Sequence, residues 1–110
     1  MSLDIRFTTR ENIVCPKCGE VVDYNVVDCE VSGGRGWYPI LEEIGYYVPA
    51  ERRIEENDWY GKDMVLSAEA SDKVYAYIKM TSDLYNGSVI LNLIARAMKD
   101  GNNVVVSADW

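Results

Sequence analysis

The first residues of the chain alternate between apolar and polar side chains. Leu3, Ile5 and Phe7 share one parity, and polar residues stand between them. A period of two is that of a β-strand with one buried face. We therefore predict a strand over residues 3–8 with Leu3, Ile5 and Phe7 inward, followed by a turn or loop in the polar run from Thr9 to Asn12.

A second stretch, residues 24–31, is rich in β-branched and aromatic side chains and predicts another strand. Its apolar parity changes near Val26 and Val27: even-numbered positions are apolar before this point and odd-numbered ones after it. A strand keeps one face inward only if its parity holds. The change therefore predicts either a turn or a β-bulge.

The rest of the chain carries helical and strand signals in sequence order. Residues 37–45 predict a short helix with Pro39 in the first turn and Gly45 at the end. Residues 46–62 are irregular. Ser67 is a candidate N-cap for a helix whose apolar residues keep a helical spacing as far as Leu84. Residues 74–80 also alternate between apolar and polar side chains, as a strand would. Ser88 opens a clearer amphipathic helix that ends at Gly101, and residues 104–107 predict an interior strand.

Together these elements predict one α+β domain over residues 1–110. The N-terminal half and the last strand form a small antiparallel sheet, and two or three helices pack on one face. At 110 residues, with 48% hydrophobic side chains, the chain is long enough to bury a core. No secretory signal and no apolar run of membrane-spanning length is present, which favours a cytoplasmic protein.

The charge and composition of the chain exclude several classes of binding site and of catalytic mechanism. There are 18 acidic and 11 basic residues, a formal net charge of −7, which disfavours a broad phosphate-binding face. Histidine is absent, so the commonest general base and all Ser-His-Asp and Cys-His arrangements are excluded. Carboxylates remain in the middle of the chain (Glu42, Glu43, Glu55, Glu56 and Asp58), but sequence-adjacent carboxylates usually point apart into solvent. We therefore predict that the protein is not an enzyme.

The segment Cys15-Pro16-Lys17-Cys18-Gly19 has the spacing of a metal-binding knuckle. Two thiolates two residues apart can hold one Zn²⁺ if the backbone between them curls around the sulfurs. Pro16 presets φ for that curl, and Gly19 can take the positive φ that ends it. A redox dithiol would normally begin a helix, whereas here a strand-like segment follows. The segment therefore favours a metal site, or the remnant of one, at the edge or tip of the sheet.

Cys29 is the candidate third ligand. If residues 21–27 form a hairpin that turns at residues 23–25, Cys29 falls opposite Cys18. If residues 20–31 form one extended strand, Cys29 lies roughly 35 Å from Cys18 and cannot share the ion. A fourth ligand would be a carboxylate such as Asp28, a water, or a group from another chain. The alternatives of a complete zinc site and of a knuckle that has lost its second half both remain open, as does a role for Cys29 as a small buried hydrophobe.

The knuckle resembles one half of a zinc ribbon, a small module in which two such Cys-x-x-Cys segments face each other. That resemblance covers residues 15–20 and implies zinc as the cofactor, but a second Cys-x-x-Cys is absent. The overall layout also loosely resembles small uncharacterised proteins of phage and prophage origin, through the Asp-Ile strand, the Tyr60-Gly61-Lys62 turn and the helix near Asn86. No activity follows from that likeness.

Three functional hypotheses follow. The preferred one is a small accessory protein that binds another protein or forms a homo-oligomer through exposed aromatic side chains around Trp37, Tyr47 and Trp59. The second is nucleic-acid binding, which predicts one cluster of basic side chains (Arg6, Arg10, Lys17 and Arg35). The third is a catalytic or ligand-binding pocket, which predicts that at least two of the four carboxylates Glu42, Glu43, Glu55 and Asp58 line it.

Overall fold

The computed structural model describes residues 3–110, and its longest feature is an antiparallel β-hairpin. Strand β1 (Asp4–Val14) pairs with strand β2 (Val21–Gly33) along its whole length. The side chains of Leu3, Ile5 and Phe7 are buried, as predicted. The predicted turn at residues 9–12 is wrong. These polar residues continue β1 because each pairs with a residue of β2, and pairing between distant segments overrides the weak local preference.

The parity change in β2 is a β-bulge. Thr9 pairs with Asp28 and Arg10 pairs with Val26, so Val27 has no partner in β1. One extra residue in one strand shifts the side chains that follow to the opposite face. The bulge therefore confirms one of the two predicted explanations and excludes the turn.

The described part of the chain forms a sheet of four strands in the order β2-β1-β4-β3, and all neighbours are antiparallel. Strand β4 (Asn103–Asp109) lies between β1 and the two-residue strand β3 (Met64–Val65), which confirms the predicted interior position of the last strand. The predicted α+β class, with an antiparallel sheet closed by the last strand, is confirmed.

Within residues 3–110, three α-helices accompany the sheet. Helix α1 (Tyr38–Glu43) has Pro39 in its first turn. Helix α2 (Ala68–Met80) begins at Ser67, whose side chain accepts a hydrogen bond from the backbone N–H of Ala70, as predicted. It ends at Met80 rather than at Leu84. No helix among residues 3–110 has both the length and the apolar character needed to cross a bilayer.

Helix α3 (Gly87–Asp100) ends at Gly101, as predicted, and Gly101 takes a left-handed φ of 73°. Its N-cap is Asn86 and not Ser88. Asn86 adopts a left-handed φ of 59°, and Ser88 lies inside the helix. The cap forms two residues earlier than predicted because the amide of Asn86 is anchored outside the helix, on strand β2.

One buried cluster joins the sheet to the helices. Its largest members are Trp37, Tyr46 and Phe7, and α3 contributes Ile90, Leu93, Ile94 and Ala97. Strands β1 and β4 contribute alternate residues to this cluster, so one face of the sheet is directed at the core and is called the inner face below. The opposite, outer face carries Arg6 and Val31, which are exposed.

Candidate metal and protein-binding sites on a hairpin arm

The distal half of the hairpin projects beyond the rest of the sheet. Strand β4 pairs with β1 only as far as Arg10, which lies opposite Asn103. Beyond this point residues 11–25 form a two-stranded structure with no third strand, here called the arm. The arm ends in the Cys15–Gly19 turn. The predicted position of the knuckle at a tip of the sheet is therefore the one observed.

Backbone hydrogen bonds close the turn at the tip. The N–H of Cys15 donates to the carbonyl oxygen of Glu20 at 2.8 Å, and the N–H of Gly19 donates to the carbonyl oxygen of Cys15 at 2.9 Å. Gly19 has a φ of +74°, which L-amino acids with a side chain rarely adopt. Gly19 thus has the conformational role that its residue type predicts.

The turn also prepares the Cys15 sulfur to carry negative charge. The pKa of the Cys15 thiol is lowered, first by a hydrogen bond from the backbone N–H of Cys18, then by the Cys18 side chain and the backbone N–H of Lys17. Such N–H donors stabilise a thiolate, which is the form that binds metal or acts as a nucleophile. Cys15 is partly exposed, Cys18 is exposed, and both are free.

Cys29 is not at this tip. It lies in β2 opposite Thr8, whose hydroxyl is 3.8 Å from the Cys29 sulfur. Residues 23–25 do not form a turn, because each pairs with a residue of β1. The extended-strand alternative therefore holds, and a site shared by Cys15, Cys18 and Cys29 of one chain is not formed. Within residues 3–110 no three Cys, Asp or Glu side chains are grouped so as to hold a metal ion.

The proposed fourth ligand, Asp28, is also remote from the tip. It lies opposite Thr9, and its carboxylate is 3.3 Å from the guanidinium of Arg96 in α3. The knuckle of a single chain therefore brings only the two thiols of Cys15 and Cys18 to one place.

An exposed apolar stripe runs along the outer face of the hairpin. In the register of β1 and β2, cross-strand partners share a face, and the pairs on the outer face include Arg6 with Val31 and Asn12 with Tyr24. The exposed apolar residues on this face, called the outer stripe below, are Val14, Val21, Tyr24, Val26 and Val31, and each exposes between 48% and 59% of its surface. The sequence signal for this stripe was present in the valines of residues 21–31, but their exposure followed only from the fold.

Polar contacts fix the root of the arm to the body. Arg10 forms an ion pair with Asp63 at 2.8 Å, and its guanidinium carbon lies 4.3 Å from the ring centroid of Tyr24. The amide of Asn103 donates to the side-chain oxygen of Asn12 at 2.9 Å. The direction of the arm is therefore set by the body, although its far end has no support from it.

The three aromatic residues predicted as an interaction surface occupy different environments. Trp37 is fully buried and donates its indole N–H to Ser32 Oγ at 2.9 Å, so it forms part of the core and not of a surface. Tyr47 and Trp59 are only partly buried and pack against the core. The middle aromatics thus largely close one end of the core, whereas the outer stripe lies on the hairpin.

The carboxylates predicted to line a pocket lie outside an open cavity on the surface. This open cavity of about 620 Å³ lies around the ends of β1, β2 and β4, with Asp4, Arg6, Tyr85 and Asp109 at its wall. None of Glu42, Glu43, Glu55 and Asp58 contributes to it. The carboxylate of Glu42 is instead 3.5 Å from Arg52 on the surface.

The basic residues predicted to form one cluster are spread along the hairpin. Arg6 and Arg10 lie in β1, Lys17 lies in the turn at the tip, and Arg35 follows the opposite end of β2. Arg10 is already paired with Asp63.

Comparison of the chain with protein-family models, with curated proteins and with solved structures finds no match.

Proposed function

We propose that this protein is a non-enzymatic, cytoplasmic accessory protein that binds another protein chain through the outer stripe of its hairpin, and that this partner is a second copy of itself. The observation that carries the proposal is the exposure of five apolar side chains on one face of a projecting hairpin. Several exposed apolar side chains on one face of a hairpin are typical of interaction sites.

The energetics of the arm support a partner. A two-stranded hairpin in water is marginally stable at best, because neither face is covered. Each apolar side chain that a partner covers contributes about 25 cal/mol for every Å² removed from water. Burial of the outer stripe therefore stabilises both the complex and the arm.

The free thiols support the cytoplasmic assignment. Cys15, Cys18 and Cys29 are all free, and Cys18 and Cys29 are exposed. Exposed free thiols persist in a reducing compartment and are oxidised outside it.

Sedimentation equilibrium in the presence of a chelator and a reductant tests the proposal. We expect the wild-type chain to associate as its concentration rises. The double variant Val21→Lys with Val26→Lys should remain monomeric, because association would remove the charged lysine side chains from water at a high cost in free energy. The matched control is Ile13→Lys. Ile13 is 37% exposed and lies on the opposite face of the same arm.

The control variant should associate as the wild type does. Self-association would be rejected if the wild-type chain stays monomeric up to about 0.5 mM. This concentration is far above a micromolar dissociation constant. Equal association of the wild type and the double variant would show that the outer stripe is not the contact.

A further inference from the structure

Within residues 3–110, the knuckle at the tip of the arm presents two metal-binding thiols and no further ligand. Zinc in a structural site is almost always bound by four ligands in a tetrahedron. Cys15 and Cys18 supply two of these, and no third Cys, Asp or Glu side chain among residues 3–110 joins them. A single chain therefore carries half of a coordination shell.

The backbone of the tip holds both thiols of this half-shell on one short, closed turn. The N–H of Cys15 donates to the carbonyl oxygen of Glu20 at 2.8 Å, and the N–H of Gly19 donates to the carbonyl oxygen of Cys15 at 2.9 Å. Gly19 ends the turn with a φ of +74°. A closed turn of this kind keeps two thiols at the two-residue spacing that one Zn²⁺ requires.

The position of the half-shell leaves it open to another chain. Residues 11–25 extend past the last pairing of β4 with β1, so the tip is distant from the helices and from the other strands. Cys18 is exposed. A second tip can approach without collision with the body of the first.

We propose that the arm tips of two copies of this chain share one Zn²⁺, with Cys15 and Cys18 of each copy as its four ligands. The inference rests on the proposed function, because contact between the outer stripes brings the two tips together. A twofold axis that runs along the arms places the stripes face to face and both tips at the same end. Closed twofold symmetry is the commonest arrangement of soluble oligomers.

The charges of the tip are compatible with this arrangement. Four thiolates around one Zn²⁺ leave two negative charges. Each tip contributes the ammonium of one Lys17, so the two copies together offset them. The zinc site with its two lysines is therefore neutral, and it adds no negative charge to the contact between two chains that each carry a net charge of −7.

Zinc titration of the reduced protein, followed by analytical ultracentrifugation, tests the inference. We expect saturation at about half an equivalent of zinc per chain and a shift of the mass to that of a dimer, as four-ligand coordination requires. Cobalt substitution supplies a second readout, since four thiolate ligands in a tetrahedron give a distinctive visible and near-ultraviolet spectrum.

Three cysteine variants separate the ligands from the remaining thiol. Cys15→Ser and Cys18→Ser should each weaken zinc binding by more than about 100-fold, since loss of mere supporting contacts already weakens it about 10- to 100-fold. Cys29→Ser is the matched control and should bind zinc as the wild type does. Far-ultraviolet circular dichroism confirms that each variant folds.

Saturation at one equivalent of zinc on a monomer, loss of binding in Cys29→Ser, or no binding at all would overturn the shared site. The outcomes also distinguish this inference from the proposed function. Association in chelator that zinc does not strengthen would retain the function and reject the shared metal. A zinc-dependent dimer that is monomeric in chelator would retain the metal site and reject the apolar contact.

Discussion

The hydroxyl of Thr8 lies 3.8 Å from the sulfur of Cys29, across the hairpin from one strand to the other. This pairing sets the distance between Cys29 and the knuckle, because β2 is continuous from Val21 to Gly33. The third cysteine thus belongs to the sheet, and the first two belong to the tip.

The first prediction follows from that pairing. Replacement of Cys29 by serine should change the free energy of unfolding by less than about 0.5 kcal/mol, since an exposed position away from caps and the core tolerates substitution. Serine keeps a polar partner for Thr8. Chemical denaturation with and without zinc checks this, and a zinc-dependent difference between variant and wild type would contradict it.

Tyr46 connects the irregular middle segment to the last strand. Its hydroxyl donates to the carbonyl oxygen of Lys62 at 2.6 Å and accepts from the backbone N–H of Ala108 at 2.8 Å. Tyr46→Phe leaves both backbone groups without this partner, which should lower the free energy of unfolding by about 1–3 kcal/mol. Urea denaturation at pH 7 measures the loss, and Tyr85→Phe is a control because that residue is 72% exposed.

The same residue should give the fold a dependence on alkaline pH. Burial raises the pKa of Tyr46 above its ordinary value of 10.0, although the hydrogen bond from the backbone of Ala108 opposes this shift. The folded state therefore holds this proton more tightly than the unfolded state does. The stabilisation is fully present below pH 10 and is lost as the pH rises from 10 through the folded pKa.

Thermal unfolding between pH 8 and pH 11 checks this dependence. The wild type should lose more stability over the upper part of this range than Tyr46→Phe does. Identical pH profiles for the two chains would show that the Tyr46 phenol does not contribute.

Asn86 combines a left-handed backbone with two side-chain hydrogen bonds. Its amide donates to the carbonyl oxygen of Val31 at 3.0 Å and to the carboxylate of Glu30 at 3.2 Å. Asn86→Gly keeps the backbone conformation and loses only these bonds. Asn86→Ala loses both features, so it should be less stable than Asn86→Gly by about 1–2 kcal/mol, the cost of a left-handed residue with a Cβ.

Denaturation of the two Asn86 variants in parallel measures that difference. Equal stability would mean that position 86 leaves the left-handed region when its anchor on β2 is removed.

Trp110 lies against three tyrosine rings. Its ring centroid is 5.0 Å from that of Tyr47, 5.0 Å from that of Tyr60 and 6.1 Å from that of Tyr46, in edge-to-face arrangements. Trp110→Ala should lower the free energy of unfolding by about 2–4 kcal/mol. This is less than the loss expected for a fully buried aromatic residue, because Trp110 is only partly buried. Trp110→Phe should recover more than half of this loss in denaturant titrations.

The arm should open more readily than the rest of the hairpin. Residues 4–10 of β1 have a strand on both sides, whereas residues 11–14 have β2 alone. Backbone amides of the arm should therefore exchange with deuterium faster than those of residues 4–9. Hydrogen exchange with mass spectrometry measures this, and zinc should slow exchange in residues 11–25 if the tips join. Uniform protection along the hairpin would contradict the prediction.

Local signals in the sequence were enough for several elements. The alternation of Leu3, Ile5 and Phe7 identified the inner face of β1, because a strand exposes and buries successive side chains. Ser67 and Gly101 marked helix ends because a side-chain acceptor and a left-handed glycine satisfy backbone groups nearby in sequence. The parity change near Val27 similarly reported a bulge.

The candidate site was predicted only in part. The chemistry of the Cys15–Gly19 turn could be predicted from the sequence, because all its hydrogen bonds lie within a few residues. The choice between the two positions of Cys29 could not be predicted, because it depends on which residues of β1 pair with β2. The burial of Trp37 was not readable either, since an aromatic side chain suits a core and an interface equally well.

The sequence by itself therefore determined the turn, the helix ends and the apolar periodicity of this protein, all of which arise from interactions between near neighbours in the chain. Only the tertiary structure decided that β1 extends beyond its pairing with β4 and that the outer stripe is exposed. It also decided that, within residues 3–110, the tip carries two thiols without a third ligand. The physical reason is that strand length and exposure depend on pairing between segments far apart in the chain, and residues 9–12 gave no local sign of that pairing.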